Sequence, residues 1–332
     1  MRVCIIGTGA ISGIHISALK KINADIVGLC DKDDEKAVKK AAEFGLSCPI
    51  YTDYKQMIDS ERPDCVHVCT PHYLHAEMVI YALENNVNVL SEKPVCISFE
   101  QLARLKRARE KSAAYYGVCF QNRYLEANRE AEAIIKNTKV FGASGAVVWK
   151  RDADYYGSGD WRGKKATEGG GVLINQSIHT LDLMISALGL PVSVSAVMAN
   201  EHLQGVIEVE DVARLTLEYP DFTAVFTATT AGKGSYPVFA SYYTDAGIIE
   251  TRGEALVVNG AETENSKKSR LSGKAEWGVG HEMLISDFYA SIAGNKPVSC
   301  DFNDCLNTMI TVLAAYESAR QNRKIDTESI KL

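Results

Sequence analysis

The chain has 332 residues, 46% of them hydrophobic and 23% charged, with 25 Gly and 8 Pro. At roughly 150 residues per domain this suggests two domains with full cores, and the composition excludes a collagen-like, coiled-coil or mainly disordered chain. Thirty-six Lys and Arg against 42 Asp and Glu give a formal charge of −6, so no global positive field draws the chain to nucleic acid or to a membrane, and small molecules are the expected partners.

No apolar run reaches the ~20 residues that cross a bilayer. Met1-Arg2-Val3-Cys4-Ile5-Ile6 reads as the start of a strand rather than a signal peptide, and a cytoplasmic location is expected. The nine cysteines, several within apolar strand-like runs, suit buried reduced thiols better than a disulfide framework.

The first half alternates β-branched runs with amphipathic stretches, the pattern of a parallel sheet wound by helices. Strands are expected at Arg2–Gly7, Asp25–Asp31, Cys65–Thr70, Val87–Glu92 and Ala114–Gln121, with a weak one at Pro49–Tyr51. Helices are expected at Ser12–Ile22, Asp33–Phe44, His72–Asn85 and Ser98–Ser112. The pattern changes near residue 122, which divides the chain into two domains, 1–121 and 122–332. There a helix is expected at Tyr124–Asn137, a strand at Gly145–Tyr156, a Gly- and charge-rich loop at Gly157–Gly171 and a helix at Val172–Leu188. From Val192 to Asn259 the sequence alternates in twos, with Pro220-Asp221 between two such runs as a hairpin signal. A polar excursion at Glu262–Lys274 and helices near 281–293 and 303–321 close the chain. The expected fold class is α/β: a doubly wound parallel Rossmann sheet, then an α/β domain with a large open, mostly antiparallel sheet.

Gly7-Thr8-Gly9-Ala10-Ile11-Ser12 follows the first strand and opens the first helix. In that context Gly7 allows the tight turn, Gly9 lets backbone approach a pyrophosphate, and the helix N-terminus faces the phosphates. Ser12 stands where a third Gly or Ala is usual. Asp31 ends the second strand, where a carboxylate accepts from the adenosine ribose hydroxyls and repels a 2′-phosphate. NAD is therefore favoured over NADP, with Lys32 partly offsetting the charge.

Two further motifs end strands: Thr70-Pro71-His72-Tyr73-Leu74-His75 and Glu92-Lys93-Pro94. With the Gly-rich turn and Gly169-Gly170-Gly171-Val172-Leu173-Ile174-Asn175-Gln176-Ser177-Ile178-His179, they make the chain resemble, over essentially its full length, the Gfo/Idh/MocA family of glucose-fructose oxidoreductase and inositol dehydrogenase. The resemblance implies an NAD(P)-dependent dehydrogenase of a sugar, polyol or sugar derivative, and a homodimer or homotetramer formed through the C-terminal sheet. It maps the family's lysine onto Lys93 and its active-site histidine onto His179. Many members carry Asp four residues before that histidine, where this chain has Asn175. By the same resemblance Gln121-Asn122-Arg123-Tyr124 approaches nicotinamide and substrate, and Trp161-Arg162 looks like a Trp-Arg element that reaches either one.

Physical reading of the residues leads the same way. Gly7, Asp31, Thr70 and Lys93 all fall at carboxyl ends of parallel strands, where ligands bind. Asn175 and His179, at i and i+4, would share one face of the expected helix. Oxidation of an alcohol needs a base at the hydroxyl and a donor for the developing charge. His179 is favoured as base with Lys93 as electrostatic partner, the reverse being the rival assignment, and Asn175 orients the hydroxyl. A substrate bearing its own charge would be another reason for an amide at 175. Tyr155, Glu168 and Tyr236 are candidate hydrogen-bonding residues for a polyhydroxylated substrate. Pro71, His72, His75 and Glu92 join the cofactor set, and His72, His75 and Cys69 are not read as a metal site because they lack the spacing of three or four ligands. Two rival readings are a self-recycling NAD enzyme such as an epimerase, sugar-sugar oxidoreductase or redox glycosidase, and a non-catalytic NAD(P)-sensing regulator.

Overall fold

The computed structural model describes residues 1–265 and 280–332, so most of the polar stretch from Glu262 to Lys274 lies outside the described residues. Two compact units divide the chain. One comprises Met1–Gln121, Gly280–Asp304 and Leu332, the other Asn122–Val279 and Cys305–Lys331.

In the first unit β1 (Arg2–Ile6), β2 (Asp25–Cys30), β3 (Ile50–Tyr51), β4 (Cys65–Val68), β5 (Asn88–Ser91) and β6 (Tyr116–Val118) form a parallel sheet in the order β3-β2-β1-β4-β5-β6. Its central strands are apolar on both faces, with Val3–Ile6 and all of β4 buried, because connecting helices cover both sides of a parallel sheet. Those helices are α1 (Ser12–Lys21), α2 (Asp34–Phe44), α3 (Tyr54–Glu61), α4 (His72–Glu84) and α5 (Phe99–Lys111). The strand order reverses between β1 and β4, the place where a doubly wound sheet opens a crevice at its strand ends.

Helix starts divide into two kinds. Asp33, Asp53 and Ser98 accept backbone N–H groups at the starts of α2, α3 and α5, whereas α1 and α4 begin without a side-chain cap. Helix α3 has no counterpart among the sequence-based expectations, since only Met57 and Ile58 of its eight residues are buried, too few to show a helical period.

Residues beyond 280 also depart from the expected division. Helix α10 (Gly280–Ala293) and the start of α11 (Phe302–Gln321) belong to the first unit up to Asp304. Phe288 of α10 is fully buried in the space that the missing side chain of Gly117 leaves: a Cβ there would lie 2.7 Å from the Phe288 ring. Phe302 stacks on Tyr116 with ring centroids 5.1 Å apart, and Val118 N donates to Cys300 O at 2.9 Å.

The second unit holds a nine-stranded sheet in the order β14-β13-β12-β11-β7-β10-β9-β8-β15. Its strands are β7 (Val140–Val148), β8 (Ser193–Ala199), β9 (Val212–Glu218), β10 (Thr223–Thr229), β11 (Phe239–Thr244), β12 (Gly247–Arg252), β13 (Ala255–Val258), β14 (Ala261–Glu262) and β15 (Ile325–Asp326). Every neighbouring pair is antiparallel except β7 with β10. The β9–β10 hairpin pairs Glu218 with Thr223 across Pro220-Asp221, as the alternating runs predict. Helices α6 (Glu126–Ile135) and α9 (Ile178–Leu188) pack against this sheet.

Two expected elements are displaced here. The strand expected at Gly145–Tyr156 is β7, which stops at Val148. Beyond it lies the short helix α7 (Ala153–Gly157), because Asp152 caps it by accepting from Tyr155 N at 3.2 Å. The helix expected from Val172 starts only at Ile178, so Asn175 lies in the turn before α9 and does not share a helical face with His179. Buried side chains explain that late start. Glu210 accepts from Gly171 N (2.9 Å) and Leu173 N (3.0 Å), and the Tyr316 hydroxyl accepts from Ile174 N (3.3 Å).

Among the described residues no helix is long and apolar enough to cross a membrane, and all nine cysteines are free. Phe288→Ala empties the site beside Gly117 and is expected to cost about 3–5 kcal/mol, read as a lowered urea midpoint. An unchanged midpoint would remove α10 from that core.

Candidate active site

At the end of β1, Gly7 has φ +90°, and a Cβ there would lie 2.6 Å from the Cys69 carbonyl oxygen, so only glycine permits the turn past β4. Gly9 and Ala10 are exposed, and a Cβ at Gly9 would meet nothing within 4 Å. Ile11, before α1, offers no side-chain cap, and the first turn of α1 carries no acidic residue. The leading backbone N–H groups of α1 therefore suit an anion such as a pyrophosphate. Asp31, half-buried at the end of β2, accepts from Thr8 N (2.8 Å), Thr8 Oγ1 (2.9 Å) and Asp33 N (3.2 Å). Those bonds aim a carboxylate that keeps acceptor capacity for ribose hydroxyls. These residues fit a dinucleotide, with Gly7, Gly9 and the α1 N-terminus at its phosphates and Asp31 at its ribose. Lys32 is exposed beside Asp31.

Other members of the expected cofactor set have structural work. His75 is 1% exposed, with Nδ1 2.7 Å from Pro94 O and Nε2 2.7 Å from Thr70 O, so it ties the loop after β4 to the Lys93–Pro94 turn. His72 is buried, its ring 6.0 Å from that of His75. Thr70, Pro71 and Lys93 remain half-buried at the strand ends.

Glu92 anchors a buried chain of polar side chains that no local sequence pattern announces. Its Oε1 lies 3.0 Å from His15 Nε2 and 3.2 Å from His281 Nε2. His15 Nδ1 meets His67 Nδ1 at 2.8 Å, and His67 Nε2 meets the Tyr289 hydroxyl at 3.0 Å. One proton arrangement satisfies the whole run: Tyr289 donates to His67, His67 to His15, and His15 and His281 to Glu92. Three ligand-type atoms, one each from His15, Glu92 and His281, lie within 4.8 Å of one another, a spacing these hydrogen bonds explain. Burial alone would raise the Glu92 pKa, but the two imidazoles hold it well below the usual carboxylate range. Burial lowers the pKa of His15, and lowers that of His67 strongly. A signal was present in His67, a polar residue inside the apolar run Cys65–Val68, but its partners lie far away in sequence.

In the second unit the sequence-singled residues separate into two groups. Tyr155, Arg162, Glu168, Asn175 and Gln176 come together. Arg162 Nη1 donates to the Tyr155 hydroxyl at 2.8 Å, and that hydroxyl lies 3.2 Å from Gln176 Nε2 and 3.5 Å from Asn175 Nδ2. The Arg162 guanidinium also stacks over the Tyr155 and Trp161 rings at 4.7 and 4.5 Å. Glu168 is fully buried, accepting from Asn175 Nδ2 at 2.5 Å and from Gly163 N. Burial pushes its carboxyl up to about 7, against the opposing pull of the Gly163 and Asn175 donors and the Arg162 charge. Gly170 and Gly171 let the preceding turn approach Tyr316 and Glu210, since a Cβ at Gly171 would overlap the Glu210 carbonyl. His179 is half-buried in the first turn of α9.

Arg123 and Tyr124 are not part of that cluster. Arg123 is bidentate on Asp182 at 2.7 and 2.6 Å, and Asp182 also accepts from Thr308 Oγ1 at 2.7 Å. Tyr124 is 2% exposed under the Arg129 guanidinium. The bidentate pair meets the buried Asp182 carboxylate with charged donors. The Asn122 carbonyl accepts from Asn128 Nδ2 at 2.7 Å, and Tyr236 is exposed.

The parallel sheet, its uncapped α1 and the aimed Asp31 define a dinucleotide-binding Rossmann unit. The chain belongs to the Gfo/Idh/MocA oxidoreductase family: the family's NAD-binding Rossmann fold matches residues 1–120 and its C-terminal alpha/beta domain residues 144–327. It is 29% identical over 197 residues to D-glucoside 3-dehydrogenase of Escherichia coli K12, covering 58% of this chain and 55% of that protein. It is 23% identical to levoglucosan dehydrogenase of Pseudarthrobacter phenanthrenivorans, covering 91% of this chain and 89% of that one. The match to the first relative therefore spans about half of its length. The WlbA dehydrogenase of Bordetella pertussis, solved with NADH and UDP-GlcNAcA, shares the fold at TM-score 0.86 and 24% identity, over 100% of this chain and 99% of that one.

The histidine chain has a pH consequence. Below about pH 6.5 the unfolded chain protonates His15 and His67 while the folded unit, with both pKa values lowered, does not, so stability falls as pH falls. The urea midpoint is expected to drop between about pH 7.5 and about pH 5.5, and His67→Gln to flatten that slope. An equal slope in the variant would exclude His67 as a source.

Proposed function

We propose that the protein is an NAD-dependent dehydrogenase of a sugar, polyol or sugar-derivative hydroxyl. The observation that carries the reading is the Tyr155–Arg162–Glu168–Asn175 cluster, a set of interlocked donors and acceptors of the kind a polyhydroxylated substrate needs, in a chain whose other unit is the family's NAD-binding fold. Relatives named D-glucoside 3-dehydrogenase, levoglucosan dehydrogenase and inositol 2-dehydrogenase support it.

Bound NAD supplies the acceptor for the carbinol hydrogen, which leaves as hydride. The chain's residues handle the proton and the charge. A His179 ring nitrogen takes the hydroxyl proton. The Lys93 ammonium steadies the negative charge that develops on oxygen, and Asn175 orients the hydroxyl. Asp31 favours NAD over NADP by repelling a 2′-phosphate.

The same reading places the protein in the cytoplasm, which its nine free thiols suit, and makes it a homodimer or homotetramer. The second unit's sheet leaves Phe141, Val197, Val225, Tyr243 and Ile248 exposed, an apolar face of the kind that oligomers bury. Val225→Lys is expected to shift sedimentation to the monomer, and a protein that already sediments as a monomer would overturn the assembly.

The function is tested by spectrophotometry with aldoses, inositols, uronic acids and nucleotide sugars, each with NAD and NADP, after assay of released nucleotide. NADH is expected to accumulate with one class of substrate. Lys93→Met is expected to abolish turnover while NAD affinity changes little, and equal losses in both would sink this division of roles. Tightly retained NAD with no net signal would favour a self-recycling enzyme instead.

A further inference from the structure

Five arginines are half-buried among the described residues, and their partners divide them. Arg104, Arg109 and Arg123 each meet a carboxylate, those of Glu77, Asp301 and Asp182. Arg151 and Arg162 instead lie over the ring of Tyr155, at 5.0 and 4.7 Å from its centre, and among the described residues neither pairs with a carboxylate. Arg151 also covers Trp149 at 5.1 Å and gives Nη1 to the Lys150 carbonyl at 2.7 Å, while its buried Nε makes no hydrogen bond among those residues. The nearby acids are committed elsewhere. Asp152 caps α7 and pairs with Lys150 at 3.6 Å, and Asp154 and Asp160 are exposed. Glu168 ends the short helix α8 (Lys165–Glu168) and gives its oxygens to Asn175 and Gly163.

A guanidinium withdrawn from water keeps part of its desolvation cost unless an anion meets it, and an aromatic face offsets only some of that. Sharing one ring also places the two charges within about 10 Å of each other, close to the screening length of a physiological salt solution, so each raises the positive potential at the other. The planar fork of arginine is suited to carboxylate or phosphate oxygens taken two at a time.

We propose that Arg151 and Arg162 anchor a negatively charged group of the substrate, so that the sugar this protein oxidises is an anionic one, carrying a carboxylate or a phosphate. The proposal rests on the dehydrogenase reading above and names the substrate class of the same site. Tyr155 ties the two arginines to that site: its hydroxyl takes the Arg162 hydrogen bond at 2.8 Å and lies 3.2 Å from Gln176 Nε2 and 3.5 Å from Asn175 Nδ2. An anionic substrate also gives position 175 a physical reason. A carboxylate there would repel the bound anion, whereas an amide brings no charge to the cluster.

The test is calorimetric titration of the protein saturated with NADH, which fills the dinucleotide site and blocks oxidation. The probes are glucose, glucuronate, glucose 6-phosphate and UDP-glucose. At least one of the three anions is expected to bind about 10-fold or more tightly than glucose, and Arg151→Gln to lose that margin, the worth of one charged hydrogen bond, with glucose binding little changed. Arg151→Lys keeps the charge without the fork and is expected to recover part of it. The preferred probe names the group: glucuronate a carboxylate, glucose 6-phosphate a monophosphate, UDP-glucose a diphosphate. Glucose binding as tightly as all three anions, no binding by any anion, or an Arg151→Gln protein that holds the anion like the wild type overturns the proposal. Loss of NADH affinity in Arg151→Gln with sugar binding unaltered would hand the residue to the cofactor and overturns it too. The two readings fail separately. A protein that binds the anion through Arg151 yet never reduces NAD with it keeps the anchor and loses the dehydrogenase reading, whereas one that oxidises neutral and anionic sugars equally well, with or without Arg151, keeps the dehydrogenase and loses the anchor.

Discussion

A carboxylate taken out of water must be met by donors or it destabilises whatever encloses it, and that constraint organises both units. Glu92 is met by two imidazoles, Asp182 by a guanidinium and a hydroxyl, and Glu210 by two backbone amides and Tyr316. Asp211, fully buried, accepts from the amides of Glu201, His202 and Leu203. The pairings of Glu92, Asp182 and Glu210 join segments distant in sequence, so the polar interior selects one arrangement of turns that apolar packing alone would leave less defined.

The consequences reach the candidate site by short routes. Glu92 immediately precedes Lys93, so the histidines that hold Glu92 also hold the backbone from which Lys93 projects. Glu210 takes the amides of Gly171 and Leu173, which delays α9 and leaves Asn175 on a turn where Glu168 reaches it. Gly170 and Gly171 precede that turn because Tyr316 and the Glu210 backbone come too close for side chains, and Gly169 before them takes a positive φ of 84°.

Legibility in the sequence followed the range of the interactions. The strands of the first unit announced themselves through β-branched runs, and the turn at Gly7–Ser12 through its place between strand and helix, because both are local features. The hairpin at Pro220-Asp221 was legible for the same reason. By contrast α9 begins at Ile178 and not at Val172 because of a glutamate 39 residues from Gly171, which periodicity cannot reveal. Arg123 and Tyr124 stood out by position, whereas their contacts with Asp182 and Arg129 became visible only in the structure. Glu168 stood out as a candidate hydrogen-bonding residue, but its burial and its contact with Asn175 are tertiary features that the sequence does not display. The Asp152 cap that ends the β7 extension and the Asp53 cap that opens α3 were missed signals that local reading could have supplied.

The first unit is discontinuous in sequence, for it takes in residues 280–304 after the whole of the other unit's sheet has intervened. Domains emerging from a ribosome generally fold in order from the N-terminus, but here Glu92 cannot gain its second imidazole, nor Gly117 its filling ring, until His281 and Phe288 have been synthesised. The nucleotide-binding half is thus the first to begin and among the last to finish. A nascent chain halted before residue 280 would carry an acid with half its donors, and quality control would meet the Rossmann sheet first as an unfinished object.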